Sequence, residues 1–464
     1  MHIKSRVGFR LSLLVALLAA VATGQAQNPQ ALAKVKRGAI RHVIIISVDG
    51  LMPEVYLNPE KHGLKIPTLR EIVSKGAVSD GAQSVFPTLT YPAHTSIATG
   101  TNPGTHGIAG NELFDPENTN QRGWLWYAED IRAPTLWDAA RERGLRTALV
   151  AWPVTVGARA TSLLPEYWRA GNAEDVKLLR ALATPGLIDT VARRFPTFLD
   201  GLTPPSLKDS ALTDVAVHAI ETLKPHLLML HIFEVDHFQH AKGPFSDEAK
   251  AAIENADAQI ARVIAAAKKA GIWQHTALVV ASDHGFARFE QRFRPGVYFA
   301  QQGLVTLDER SRVVAWKAAL LTAHGIAYVY LKDPNDERTR QQVLDLLEPM
   351  RGKAGSGIRH IYTPDEIRTL GGDPQAALAF SAEPGYDMVG GYSGDVFFPP
   401  GSVAGHGYDP RDAAMRASLL LYGPAIAPGK LEGARLIDIA PTAAHWLGLK
   451  LEKAEGHSLT MKKD

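Results

Sequence analysis

Short, unbroken apolar runs that stop at polar turn residues alternate along this chain with longer amphipathic stretches. His42–Val48 reads HVIIISV and stops at Asp49-Gly50, the pattern of a strand buried on both faces. The pattern recurs. Residues 226–235 (HLLMLHIFEV) run into Asp236, residues 276–282 (TALVVAS) run into Asp283-His284-Gly285, and residues 147–152 (TALVAW) follow an amphipathic stretch over 135–143. Helical periodicity also marks 68–74, 211–222, 248–270 and 337–347. Strands that are apolar throughout and alternate with helices predict an α/β fold, with a mostly parallel central sheet sandwiched by helices. Ligands of such sheets sit beyond the carboxyl ends of the strands, and Asp49, Asp236 and Asp283 all fall there. With no internal repeat and no low-complexity linker, residues 27–464 are expected to form a single domain. Insertions are placed near 158–205, which mixes Pro, Gly and short helices between two core strands, and near 289–393.

The N-terminus changes the picture of where this domain works. Lys4, Arg6 and Arg10 precede an apolar run from Leu11 to Thr23, and GQAQN follows. This layout predicts a signal peptide over residues 1–26, cleaved near Ala26. A membrane anchor is the competing reading, but the run is shorter than the roughly 20 residues that cross a bilayer. No second stretch of spanning length follows, so the mature protein is expected to be exported without a stable membrane span, periplasmic in a Gram-negative source and otherwise secreted. Hydrophobic residues at 45% and charged residues at 21% exclude a disordered, collagenous or polytopic chain. The 50 basic and 48 acidic residues leave a net charge of only +2, far from the basic excess that binding a phosphate backbone needs, which argues against a large nucleic acid partner.

The chain contains no Cys. Thiolate nucleophiles and iron–sulfur sites are thereby excluded, and a metal would have to be held by His and carboxylates. Asp236 and His240 stand at i, i+4, where one helical turn points both side chains the same way. Asp283 and His284 are adjacent at a strand end, with Gly285 permitting a tight turn. His406 lies between Gly405 and Gly407, and Asp49 completes the set. Asp and His together suit zinc and, less well, manganese. Singly, each has a plainer explanation: a strand-end Asp is more often a cap or turn former, and His42, His94, His106, His231 and His237 read as ordinary core or surface histidines. Thr90, in Phe86-Pro87-Thr88-Leu89-Thr90-Tyr91-Pro92-Ala93-His94, can serve as the N-cap of a following helix, its hydroxyl at the helix's positive end. A Thr hydroxyl is a poor nucleophile unless a metal or base activates it.

Asp49-Gly50, FPTLTYPAH, the HGIAGN of residues 106–111, Asp236-x-x-x-His240, Ser282-Asp283-His284-Gly285, Gly405-His406-Gly407 and the closing Ile437-Asp438-Ile439-Ala440-Pro441-Thr442 stretch occur in a fixed order. In that order they resemble the nucleotide pyrophosphatase/phosphodiesterase family of the alkaline phosphatase superfamily, over residues 42 to about 450. The resemblance implies an alkaline-phosphatase-like catalytic domain and a hydrolase of phosphoric ester bonds. It implies two Zn2+ (Mn2+ the alternative), one on Asp236, His240 and His406, the other on Asp49, Asp283 and His284, with Thr90 bridging toward the second. Thr90 becomes the nucleophile of a phosphothreonine intermediate, Thr88 a lookalike, and Asn111 a hydrogen-bond donor to a phosphoryl oxygen. Tyr91 takes the position that lines the substrate pocket in relatives, and a core aromatic at a helix start is the equal alternative. Leu89 stands where nucleotide-cleaving relatives often carry Lys, and the stretch after Trp152-Pro153 lacks their Gly-Ser. That stretch offers only Arg159 for the extra charge a monoester dianion needs, which tilts the expectation toward phosphate diesters or small nucleotides as substrate. An exported Thr-dependent phosphomonoesterase is the runner-up, and a catalytically silent metal-binding protein the third reading. Sulfatase chemistry is disfavoured because its nucleophile matures from Cys or Ser.

Overall fold

The computed structural model describes residues 40–459 apart from 122, 170 and 203–206; the signal peptide expected over residues 1–26 lies outside the described residues. His42–Val48 forms strand β1, buried along its whole length. Beyond it in sequence come β2 (Ala77–Val78), β3 (Thr147–Val150), β4 (Ser162–Leu164), β5 (Leu227–Ile232) and β6 (Thr276–Ala281). Across the central sheet the order is Gly429–Lys430, β2, Leu419–Tyr422, β6, β1, β5, β3, β4. The block β6-β1-β5-β3-β4 is parallel, while Leu419–Tyr422 runs antiparallel to β6 and β2. The fold is α/β, as the unbroken apolar runs require.

Alternation along β1 explains the two helix layers. Ile44, Ile46 and Val48 pack with Leu228 and Leu230 against the helices Asp209–Leu223 and Asp247–Lys269. Val43 and Ile45 pack with Leu227, Met229 and Val279 against the helices Thr90–Thr99, Leu136–Glu142 and Ile439–Leu447. Each such side chain contributes roughly 1.5–3 kcal/mol by leaving water.

Two strands end earlier than their apolar runs suggest. β5 stops at Ile232 because the N–H groups of Phe233 and Glu234 donate to Asp209 Oδ1 at 2.8 and 3.2 Å, which starts the helix Glu234–Lys242. β3 stops at Val150 because Ala151 turns to φ +49°. Within 158–205, Ser162–Leu164 is the edge strand β4 rather than an excursion, and three helices follow it, Glu174–Leu182, Leu187–Arg194 and Phe198–Leu202. Within 289–393 stands a second sheet, antiparallel, in the order Ala318–Ala323, Ile326–Leu331, Leu378–Ala382, Ile358–Tyr362. It has its own core of Phe299, Val329, Val343 and Phe380.

Candidate active site

The carboxyl edge of the parallel strands gathers the polar residues. β1 hands over to Asp49 and β6 to Asp283 and His284. Gly50 takes φ +67°, and a Cβ there would stand 2.7 Å from the Phe286 ring; its N–H donates to Asp283 Oδ1 at 3.1 Å. Asp236 and His240 lie one turn apart on the Glu234–Lys242 helix, as their spacing predicts. His406 arrives from far along the chain because Ala404–Gly405 pairs with Ala287–Phe293, the strand that follows the Asp283-His284 turn. Gly407 then packs so closely that a Cβ would meet Ala323 O at 2.0 Å.

These residues fall into two groups, Asp236 with His240 and His406, and Asp49 with Asp283 and His284, each with its donor atoms within 4.8 Å of one another. In the first, Asp236 Oδ1 is 3.3 Å from His240 Nε2 and 3.7 Å from His406 Nε2. In the second, His284 Nε2 is 3.3 Å from Asp49 Oδ1 and 3.1 Å from Asp283 Oδ2. The His284 and His406 rings stack with centroids 3.5 Å apart, which joins the groups.

The donor chemistry fits cations. Asp49 Oδ1, Asp236 Oδ1 and Asp283 Oδ2 are buried and make no well-formed hydrogen bond, facing imidazole nitrogens at 3.1–3.7 Å, an expensive state for carboxylate oxygens unless a cation meets them. All three imidazoles are held through Nδ1 by backbone carbonyls: His240 by Ala404 O at 2.9 Å, His284 by Gly285 O at 3.1 Å and His406 by Thr88 O at 3.0 Å. That arrangement keeps a proton on Nδ1 and turns each Nε2 toward the carboxylates, where a cation would take its lone pair. Charge tells the same story. Burial opposes the imidazolium of His284, yet Asp283, Asp49 and Asp236 outweigh it and raise its pKa to about 9. Burial and the charges of Asp283 and Asp236 push the Asp49 carboxyl well up. The centre is short of positive charge.

Thr90 is the first residue of its helix, not the N-cap expected from its sequence. Leu89, extended at φ −115° and ψ 154°, takes that place. The Thr90 hydroxyl therefore caps no backbone N–H, and its Oγ1 lies 3.5 Å from His284 Nε2. Thr88 is fully buried and donates to Tyr408 O at 3.0 Å. Asn111 Oδ1 accepts the Tyr91 N–H at 2.9 Å, which turns the Asn111 amide around the start of the same helix. Tyr91 is buried, its hydroxyl donating to Glu166 Oε1 at 2.9 Å. A cavity of about 440 Å³ opens beside Thr90, Asp236 and His240, walled by Trp124, Trp168, Phe233 and Phe238.

Three residues at this centre carry no signal in the sequence pattern. His231, which reads as an ordinary histidine, lies between Asp49 and Glu166. Glu166 follows β4 in a stretch that reads as insertion. His324, at the tip of the hairpin between Ala318–Ala323 and Ile326–Leu331, brings its ring within 5.6 Å of the His406 ring and 5.9 Å of the His240 ring. Its Nδ1 is 2.7 Å from Asp387, and its φ is +57°. Their partners lie far away in sequence, so no local spacing betrays them.

A mostly parallel α/β sheet carrying two Asp/His groups able to hold cations, beside a helix-borne hydroxyl, defines the class to which this chain belongs. More narrowly, the sequence pattern of the type I phosphodiesterase / nucleotide pyrophosphatase family matches residues 43–409, and the chain belongs to that family. It is 24% identical over 425 residues to ectonucleotide pyrophosphatase/phosphodiesterase family member 1 of Mus musculus, covering 88% of this chain and 40% of that protein. Against the bis(5'-adenosyl)-triphosphatase of Bos taurus the identity is 22% over 424 residues, covering 88% and 78%. The chain spans 24%, 40% and 23% of the rat, mouse and human family member 1 proteins. The solved structure of murine ectonucleotide pyrophosphatase / phosphodiesterase 5, an inactive form in complex with AMP, shares the fold with a TM-score of 0.62 at 19% identity, covering 90% of this chain and 97% of that one.

Proposed function

We propose that this chain is a metal-dependent phosphodiesterase or nucleotide pyrophosphatase, a single catalytic domain that cleaves phosphate diesters through a covalent phosphothreonine on Thr90. The carrying observation is the pair of Asp/His groups, Asp236 with His240 and His406 and Asp49 with Asp283 and His284, each holding a buried carboxylate oxygen without a well-formed hydrogen bond, with the Thr90 hydroxyl 3.5 Å from His284 Nε2. Asp236, His240 and His406 would hold one ion, and Asp49, Asp283 and His284 the other. The Asp/His donor set favours zinc, with manganese as the alternative. Such ions, when bound, neutralise phosphate charge and lower the pKa of a coordinated hydroxyl.

The chain's own residues account for the rest. Thr90 Oγ1 attacks phosphorus in line, so that the Thr90 O–P bond forms as the bond to the leaving oxygen breaks. Water then cleaves the Thr90 ester from the opposite side and restores the hydroxyl; two inversions give net retention. With its Oδ1 engaged by Tyr91 N–H, Asn111 has its amide N–H groups to offer a phosphoryl oxygen. The aromatic walls of the cavity suit a flat, apolar substituent such as a nucleobase. Among the described residues lining the cavity there is no Arg, and its one Lys, Lys208, has its ammonium 3.5 Å from Glu234; Arg159 is exposed. A site so poor in fixed positive charge favours a diester monoanion over a monoester dianion.

Purified protein assayed with bis-p-nitrophenyl phosphate, p-nitrophenyl-TMP and p-nitrophenyl phosphate in parallel is expected to cleave a diester fastest. A monoester rate far above both diester rates overturns the preference in favour of a phosphomonoesterase. Export, to the periplasm or outside the cell, belongs to the same proposal; among the described residues no helix is long and apolar enough to cross a membrane.

A further inference from the structure

His231 is 2% exposed and sits on β5, opposite Ser47 of β1. Its Nε2 is 3.0 Å from Asp49 Oδ2, and its Nδ1 is 2.9 Å from Glu166 Oε2 and 3.1 Å from Ala151 O. The second oxygen of Glu166 accepts the Tyr91 hydroxyl at 2.9 Å. Hydrogen bonds thus run without a gap from Tyr91, next to Thr90, through Glu166 and His231 to Asp49. All four residues are at most 8% exposed.

The geometry at Asp49 gives this chain of contacts a purpose. A free carboxylate rotates about its last torsion and offers either oxygen, or both, to a cation. Here His231 occupies Oδ2, so only Oδ1 is left for the Asp283–His284 side, and Oδ1 is the oxygen without a hydrogen-bond partner. Glu166 fixes the His231 ring in its plane, as carboxylate partners fix imidazoles around metal sites. Glu166 is itself held by the helix that carries Thr90 and by the backbone just past β4. We infer that Glu166 and His231 form a positioning clamp on Asp49 that sets how tightly the Asp49–Asp283–His284 group binds its cation. This rests on the proposed reading that the group is a metal site; neither clamp residue belongs to either three-residue donor group.

The test is equilibrium dialysis of the full chain against buffered free zinc, with bound zinc counted by elemental analysis and folding followed by thermal melts in excess zinc. Wild type is expected to bind two zinc ions. His231→Leu is expected to bind the second about 10- to 100-fold more weakly while keeping the first. His231→Gln, whose amide N–H still reaches toward Asp49, should fall between them. Glu166→Gln keeps the side-chain volume and the Tyr91 contact, so it tests the clamp if His231→Leu fails to fold; it is expected to weaken the second site by a smaller factor. His106→Leu is the control, since His106 is equally buried but engages Ser96 and the Ile108 N–H instead; it should retain both ions. Wild-type zinc affinity in the folded His231 and Glu166 variants overturns the clamp, as does an equal loss in His106→Leu. Two bound zinc ions without cleavage of any phosphodiester would remove the proposed function and leave the clamp standing, whereas a wild type that binds fewer than two overturns both.

Discussion

Asp209 shows at the scale of one residue how the centre is held in place. It is fully buried, its Oδ1 receives the N–H groups that start the helix bearing Asp236 and His240, and its Oδ2 has no partner. Burial, followed by the nearby charge of Glu234, raises its pKa to about 7 against those hydrogen bonds. An unfolded Asp loses its proton near pH 4. Between about pH 4 and 7 the folded chain therefore binds a proton that the unfolded chain does not, and stability falls as pH rises through that window. Asp209→Asn keeps the accepting oxygen without the charge. Its melting temperature at pH 8 is expected to exceed that of wild type, by a gain on the order of 2–4 kcal/mol, and the gain should vanish near pH 4. A melt that is lower at both pH values contradicts this reading. Asp49, Asp236, Asp283, His284, His240 and His406 are legible in the sequence because each stands at a strand end, one helical turn away or between glycines. His231 and Glu166 are not, because their contacts join positions 182 and 65 residues apart.

At the scale of elements, the strands of the parallel sheet were readable because continuous apolar runs have few other places to go. Their ends were not. β5 ends where a distant carboxylate captures its N–H groups, and β3 ends at a left-handed residue; neither event leaves a local pattern. The glycines beside His406 suggest an unencumbered loop, but the sequence does not reveal what presses on it. Gly407 sits at φ +83° with the Ala323 carbonyl against its Cα, and Gly325 packs in the same way on Tyr408. The loop and the hairpin bearing His324 are thus seated on each other. Gly407→Ala would face both the conformational penalty and the clash, together on the order of 1–3 kcal/mol or more. It is expected to lower the melting temperature and weaken binding of the ion proposed for Asp236, His240 and His406, whereas Gly433→Ala, strained at φ +62° but in open space, should lose stability alone. Unchanged zinc binding in Gly407→Ala would show that the packing does not position His406.

Over the whole molecule, the centre draws on distant parts of the chain. The parallel sheet supplies strand-end acids, the Thr90–Thr99 helix supplies the hydroxyl, and the segment after β4 supplies Glu166. The second sheet supplies His324 and the wall behind His406. The α/β class followed from periodicity alone, but the second sheet did not, because its antiparallel strands lie in a stretch that reads only as an excursion. A centre with three buried carboxylate oxygens and too little positive charge is expected to need the proposed ions for stability as well as for chemistry. Chelator-treated protein should melt at a lower temperature than zinc-loaded protein, and zinc at 100 times its dissociation constant should restore about 2.7 kcal/mol per site. Identical melts with and without chelator, on protein shown by elemental analysis to have lost its metal, would argue that the acids are satisfied in some other way.

The role of Thr90 is tested by the rate of p-nitrophenyl-TMP cleavage by zinc-loaded wild type and Thr90→Ala, measured side by side. With Thr90 as nucleophile, the variant is expected to fold, bind zinc and lose on the order of 10³-fold or more in kcat/KM. A Thr90→Ala enzyme within tenfold of wild type would contradict that role.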